Sequence, residues 1–221
     1  MAQLEIACFN WESALIAEQN GADRIELCAG IEVGGTTPTI EMVLQAKKLT
    51  IDLYVMICPR GGGFVYTDEE FAQMKTEIET FKKLHVDGFV FGILNEDKSI
   101  NVAQNAELVE LAKPFPCTFH RAFDEVLNAG QSLEEVIRCG FQTILTSGQA
   151  QNVTAGIDSL SGLVQKADNR IIIMPGGGLR SSNIEFIQQK TKAIFYHSSA
   201  ITDGSQTAAA DEIRTLKSRL R

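Results

Sequence analysis

The sequence is short of several features that would fix its function at once. It has no apolar run of about 18 residues, the length that crosses a bilayer. Its opening, Met1-Ala2-Gln3-Leu4, enters a strand-like pattern with no basic region ahead of a long apolar stretch. A soluble, cytoplasmic protein with no membrane partner is expected. Clusters of lysine and arginine are also missing, and 28 acidic residues against 20 basic ones give a formal charge of -8. That balance excludes a large nucleic-acid surface and points to small molecules as partners. There is no CxxC pair and no clustered Cys/His spacing of a structural zinc site. The five cysteines, Cys8, Cys28, Cys58, Cys117 and Cys139, are odd in number and widely spaced, as expected of reduced thiols. With only five prolines, no low-complexity tract and 44% hydrophobic residues among 221, a single domain over 1–221 is expected.

What is present is a repeating unit. Leu4 to Cys8 alternates like a strand, and Asn10 then caps a helix that stops at Asn20-Gly21. Further strands are expected at Arg24 to Cys28, Leu53 to Cys58, Phe89 to Leu94, Phe115 to His120, Thr143 to Thr146, Ile171 to Met174 and Ala193 to His197. Helices lie between them. One begins near Pro38, one carries a capping box at Thr67 and Glu70, and one a capping box at Ser132 and Glu135. The others are read around Val102 to Leu111, Ala155 to Ala167 and Asn183 to Gln189, with a last helix striped by Ile213, Leu216 and Leu220. Eight strand-helix units predict an α/β fold, a (β/α)8 TIM barrel, rather than an open doubly wound sheet, whose glycine fingerprint is missing after the first strand. The long, glycine-rich loops all follow strands, which puts function at the C-terminal rim.

Alternation then sorts the side chains. Leu4, Ile6, Ile25, Leu27, Leu53, Val55 and Ile57 should face the helices. Glu5, Arg24, Glu26, Cys28, Met56, Cys58, Thr118, His120, Phe195 and His197 should enter the barrel, with Arg60 at its rim. Ionisable groups gathered in a dry lumen either hold one another as ion pairs, Arg24 with Glu5 or Glu26, or serve a ligand. The run Thr118-Phe119-His120-Arg121-Ala122-Phe123-Asp124 is central, because it closes a buried strand with an imidazole, a guanidinium and a carboxylate. Gly176, Gly177 and Gly178 after the seventh strand, His197 and Ser198 after the eighth, and Ser147 after the sixth are candidate anion ligands.

These residues together resemble the CutC family of copper homeostasis proteins. The matching stretches are Gly21 to Cys28, Gly34-Gly35-Thr36-Thr37-Pro38, Pro59-Arg60-Gly61-Gly62, Thr118 to Asp124, Leu145-Thr146-Ser147-Gly148 and His197-Ser198-Ser199. The resemblance implies a cytoplasmic TIM barrel that forms a homodimer and is tied to copper. It departs from the family pattern at Ala7, where relatives often carry cysteine, at Cys58, where they usually carry arginine, and in the short segment after His197-Ser198-Ser199.

Three functions follow as expectations. Copper(I) binding needs soft ligands, and Cys28 with Cys58 is the pair expected inward on neighbouring strands. An enzyme acting on a small anionic or phosphorylated metabolite would use Arg24, Arg60 and Arg121 for the anion. Glu26 and His120 would exchange a proton, and Asp124 would orient a neighbouring base or arginine. No lysine is expected at an inward strand end, so this enzyme would be a lyase, isomerase or hydrolase without Schiff-base chemistry. A non-catalytic ligand-binding dimer would use the same pocket.

Overall fold

Short strands that each bury both faces need a helix after every strand, and the computed structural model, which describes residues 2–220, supplies one each time. The order is β1 (Gln3–Cys8), α1 (Trp11–Gln19), β2 (Arg24–Leu27), α2 (Ile40–Ala46), β3 (Asp52–Met56), α3 (Asp68–Lys83), β4 (Gly88–Phe91) and α4 (Val102–Ala112). It continues with β5 (Cys117–Phe119), α5 (Ala129–Cys139), β6 (Thr143–Thr146), α6 (Ile157–Ala167), β7 (Ile172–Pro175), α7 (Ile184–Thr191), β8 (Phe195–Ser198) and α8 (Ala210–Arg219). The strands run parallel in the order β7-β6-β5-β4-β3-β2-β1-β8, a (β/α)8 barrel. β7 and β8 meet at a seam without a regular ladder. It is tight, since a Cβ on Gly176 would stand 3.0 Å from that of His197.

The register sets which side chains meet. Glu5 lies opposite Arg24 on one side and His197 on the other, while Ala7 lies opposite Glu26. Leu4, Ile6, Ile25, Leu27, Leu53, Val55 and Ile57 pack outward against the helices, all fully or almost fully buried. Each such side chain contributes about 1.5–3 kcal/mol by leaving water. Inside the ring the apolar side chains form two separate patches, Cys28, Tyr54, Met56, Cys58 and Val90 on one wall and Leu145, Met174 and Phe195 on another. The charged groups occupy the gap between them.

Local signals place the helices, with two corrections. Asn10 caps α1 by accepting from Ser13 N, and Thr67 and Glu70 cap α3 reciprocally, as expected. The Ser132 and Glu135 box does not form. Asn128 caps α5 by accepting from Gln131 N, so the helix starts one turn earlier, and Ser132 and Glu135 are buried within it. Asparagine is as good a cap as serine, and the earlier start adds a turn in which Ser132 is the buried residue. The helix expected near Pro38 starts at Ile40 behind a Thr39 cap. The fourth and fifth strands end earlier than expected, freeing Gly92 and His120 for the rim.

Candidate functional site

The floor of the site is a charge chain across β2, β1 and β8. Arg24 pairs with Glu5 through Nε, and its guanidinium stacks over Tyr54 at 3.9 Å and Phe195 at 4.2 Å. The other Glu5 oxygen meets His197 Nδ1 at 2.8 Å, and His197 Nε2 stands 3.7 Å from Glu26 Oε2. Burial alone would raise the Glu5 carboxyl, but Arg24 and His197 outweigh it and hold it below the usual value. Burial works against protonation of His197, but the bond to Glu5 and the charges of Glu26 and Glu5 win and raise it. Glu26 is pushed the other way. Burial dominates, its nearest cations are already shared, and its pKa rises to about 7. Its Oε1 is buried without a partner among the described residues. Arg24, expected to grip an anion, is spent on Glu5 beneath the cavity, the ion-pair alternative set out for it above.

Above this floor opens a cavity of about 460 Å³, lined by Glu26, His120, His197, Arg121, Arg180 and the glycine loops among others, with no lysine among its lining residues. His120 reaches it because Gly92, just past the end of β4, has no side chain. A Cβ there would lie 2.9 Å from the imidazole Nδ1. Phe64 covers the ring, with centroids 4.7 Å apart. Nδ1 accepts from Ala122 N at 3.3 Å, so the ring hydrogen sits on Nε2, which has no acceptor among the described residues. Burial lowers the His120 pKa to about 4, so at neutral pH it is an uncharged N–H donor. The inward Thr118 hydroxyl of the same strand is likewise unpartnered.

The rim on the β5–β6 side is saturated. Asp124 accepts from Arg121 Nε (2.8 Å), from the Ser147 amide (3.0 Å) and hydroxyl (3.0 Å), from the Gln149 amide (3.1 Å) and from the Thr146 hydroxyl. It thus orients an arginine and has no lone pair left for proton transfer. The single Ser147 hydroxyl hydrogen is shared between the Ala150 carbonyl at 2.6 Å and Asp124 at 3.0 Å, which leaves no donor for a ligand. Arg60 is also committed, to Glu70 and to the carbonyls of Gly63 and Val65, so it shapes the loop above the cavity.

On the β7–β8 side, Gly177 and Gly178 face the cavity, whereas Gly176 is turned toward Leu145 and His197. The Ser198 hydroxyl donates to Leu179 O at 2.8 Å and accepts from Arg180 Nη1 at 3.2 Å, so it positions an arginine. That arginine went unnoticed in the sequence, although it stands two residues after the triple glycine.

Among the described residues two groupings have metal-ligand character. Ligand atoms of Glu5, Glu26 and His197 lie within 4.8 Å of one another, but Glu5 is already bound by Arg24 and His197. Cys28, Met56 and Cys58 share one apolar patch. Cys58 Sγ bonds the Arg60 carbonyl at 3.1 Å, and burial raises both thiols, Cys28 well above the ordinary value. No helix among the described residues is long and apolar enough to cross a membrane.

The CutC family model matches residues 2–202. A family protein CutC from Parabacteroides distasonis is 47% identical over 199 residues, covering 89% of this chain and 82% of its own. The copper homeostasis protein cutC homolog of Homo sapiens is 41% identical over 198 residues, covering 89% of this chain and 72% of its own. A CutC crystal structure from Streptococcus agalactiae superposes with a TM-score of 0.87 at 32% identity, covering 91% of this chain and 100% of that one. Barrel, rim motifs and overall identity agree, and the chain belongs to the CutC family.

Proposed function

We propose that this protein is an acid–base enzyme acting on a small anionic metabolite held in the mouth of the barrel. The observation that carries the reading is Glu26, a buried carboxyl group with an unpartnered oxygen and a pKa of about 7, on the wall of a 460 Å³ cavity. A carboxyl balanced at working pH both takes and returns protons, which is worth about 10²- to 10⁴-fold in rate. His120 supplies the complementary group. As a neutral imidazole whose Nε2 hydrogen has no acceptor among the described residues, on a residue that lines the cavity, it donates to an oxygen that gains negative charge when Glu26 removes a proton from the adjoining carbon. The sequence suggested that the two residues exchange a proton. The low His120 pKa favours a division of labour instead, with Glu26 as base and His120 as donor. With no lysine lining the cavity, an isomerase or lyase without Schiff-base chemistry fits best.

The test is a thermal-shift screen of anionic metabolites, followed by turnover assays on the hits. Glu26→Gln is expected to keep binding and to lose at least about 10²-fold in rate, with His120→Gln losing a comparable factor. Turnover unaffected by Glu26→Gln would refute the reading.

A second reading is favoured by a separate observation, the Cys28, Met56 and Cys58 patch, and by relatives named for copper homeostasis. Two thiols and a thioether are the soft donor set that copper(I) prefers, and binding would release the thiol protons. Titration with copper(I) against a competing chelator, alongside Cys28→Ser and Cys58→Ser, decides it. Wild-type affinity no better than that of the two variants would remove it.

A further inference from the structure

The three guanidiniums on the cavity wall are not equivalent. Arg60 is paired with Glu70 and Arg121 with Asp124, whereas Arg180 meets no carboxylate among the described residues. Its partners are all neutral. Nη1 donates to the Leu179 carbonyl at 2.8 Å and to Ser198 Oγ at 3.2 Å, and Nη2 donates to the Ile201 carbonyl at 2.9 Å. These bonds fix the guanidinium and leave Nε–H and one Nη2–H uncommitted. A half-buried cation held rigidly by dipoles, with no counterion, is organised for an anion from outside.

The backbone beside it is equally uncommitted. Among the described residues the amides of Gly177, Gly178 and Ser199 donate to no protein acceptor. The Ser199 hydroxyl accepts from the Ile201 amide at 3.4 Å and keeps its own hydrogen. Gly177, at φ +101, also lets Arg121 close over the loop, since a Cβ there would stand 3.1 Å from the Arg121 Cζ.

We propose that the ends of β7 and β8 form a phosphate seat with Arg180 as its anchor. The substrate of the acid–base site is then a phosphate monoester, an inference that rests on the function proposed above, whereas the seat itself does not. Number decides phosphate over carboxylate. Three amides, one hydroxyl and two guanidinium hydrogens outnumber the roughly four lone-pair sites of a carboxylate, whereas the three oxygens of a phosphate monoester can accept them all.

Inorganic phosphate titrated calorimetrically into the full chain, at constant ionic strength, tests this. Wild type is expected to bind saturably, with sulfate competing and acetate not. Arg180→Gln should weaken phosphate by about tenfold or more, the worth of a charge-assisted bond. Arg180→Lys, which keeps the charge but loses the planar fork, should fall between. Arg170→Gln, which removes an exposed arginine paired with Glu134, should bind as wild type does. If Arg180→Gln fails to fold, the lysine variant and the sulfate-against-acetate competition still decide. Absence of saturable binding by wild type, equal binding by wild type and Arg180→Lys, or acetate competing as well as sulfate would each overturn the seat. Phosphate binding in a protein whose Glu26 proved dispensable for turnover would leave the seat standing and remove the acid–base reading alone.

Discussion

Two carboxylates on the same cavity wall are used in opposite ways. Asp124, on the β5–β6 rim, is surrounded by donors: a guanidinium, two hydroxyls and two backbone amides. Glu26, on the floor by β1 and β8, has one oxygen 3.7 Å from a histidine and the other with no partner among the described residues. A saturated carboxylate ties loops together. An unsatisfied buried one has its proton affinity raised until it stands ready to exchange the proton near neutrality. Exposure alone would not separate them, since the Asp124 side chain is 11% exposed and that of Glu26 3%.

The contrast can be broken by mutation. Asp124→Ala should have the largest effect on stability, because it strands several donors at once. A loss of about 2–3 kcal/mol is expected, chiefly from the stranded hydroxyl and amide donors, since the Arg121 side chain is 45% exposed and water takes up its charge, lowering Tm by roughly 4–12 °C. Urea unfolding checks it, and a loss under about 1 kcal/mol would mean the rim does not depend on this residue.

Glu26→Gln should behave differently, with a sign that changes with pH. The folded protein binds this proton more tightly than the unfolded chain, at about 7 against 4.5. The stabilisation is therefore complete below pH 4.5 and is lost as pH rises through 7. Glutamine cannot lose it, so the variant should gain Tm relative to wild type between pH 5 and pH 8, by several degrees. His120→Gln tests the opposite limb and should give an effect of similar size, since His120 is displaced from 6.5 to about 4 as far as Glu26 is from 4.5 to about 7. Here the folded pKa, about 4, lies below the ordinary 6.5, so the unfolded chain binds the proton more tightly. The native contribution is complete above pH 6.5 and is lost as pH falls toward 4. The variant should lack that acid-side decline in a thermal scan series. The smallest effect is expected from Cys58→Ser, which keeps the donor to the Arg60 carbonyl and should cost about 1 kcal/mol or less in urea unfolding.

Much of this arrangement was legible in the sequence because strand alternation is rigid. The inward set of Glu5, Arg24, Glu26, Cys28, Met56, Cys58, His120 and His197 follows from counting by two, and the register of β1 with β2 and β8 brings Glu5, Arg24 and His197 together. What alternation cannot give is partner choice. Arg24 could pair with either glutamate, and only the level at which it meets Glu5, between the Tyr54 and Phe195 rings, decides the matter. Loop geometry was equally opaque. Ser147 and Ser198 lie where anion ligands were expected, yet their hydroxyls are committed to Asp124 and Leu179, and Arg180 became visible only once the turn after β7 was folded. The start of α5 has the same origin, since Asn128 and Ser132 are both competent caps and their residue types alone do not choose between them.

Acid–base function in this barrel depends most on the state of one carboxyl group, and ¹³C NMR of glutamate-labelled protein, with Glu26→Gln to assign the resonance, observes it directly. A titration midpoint at about 7 is predicted for Glu26. A midpoint at the ordinary glutamate value of 4.5 would contradict it, because Glu26 would then be a satisfied structural carboxylate like Asp124.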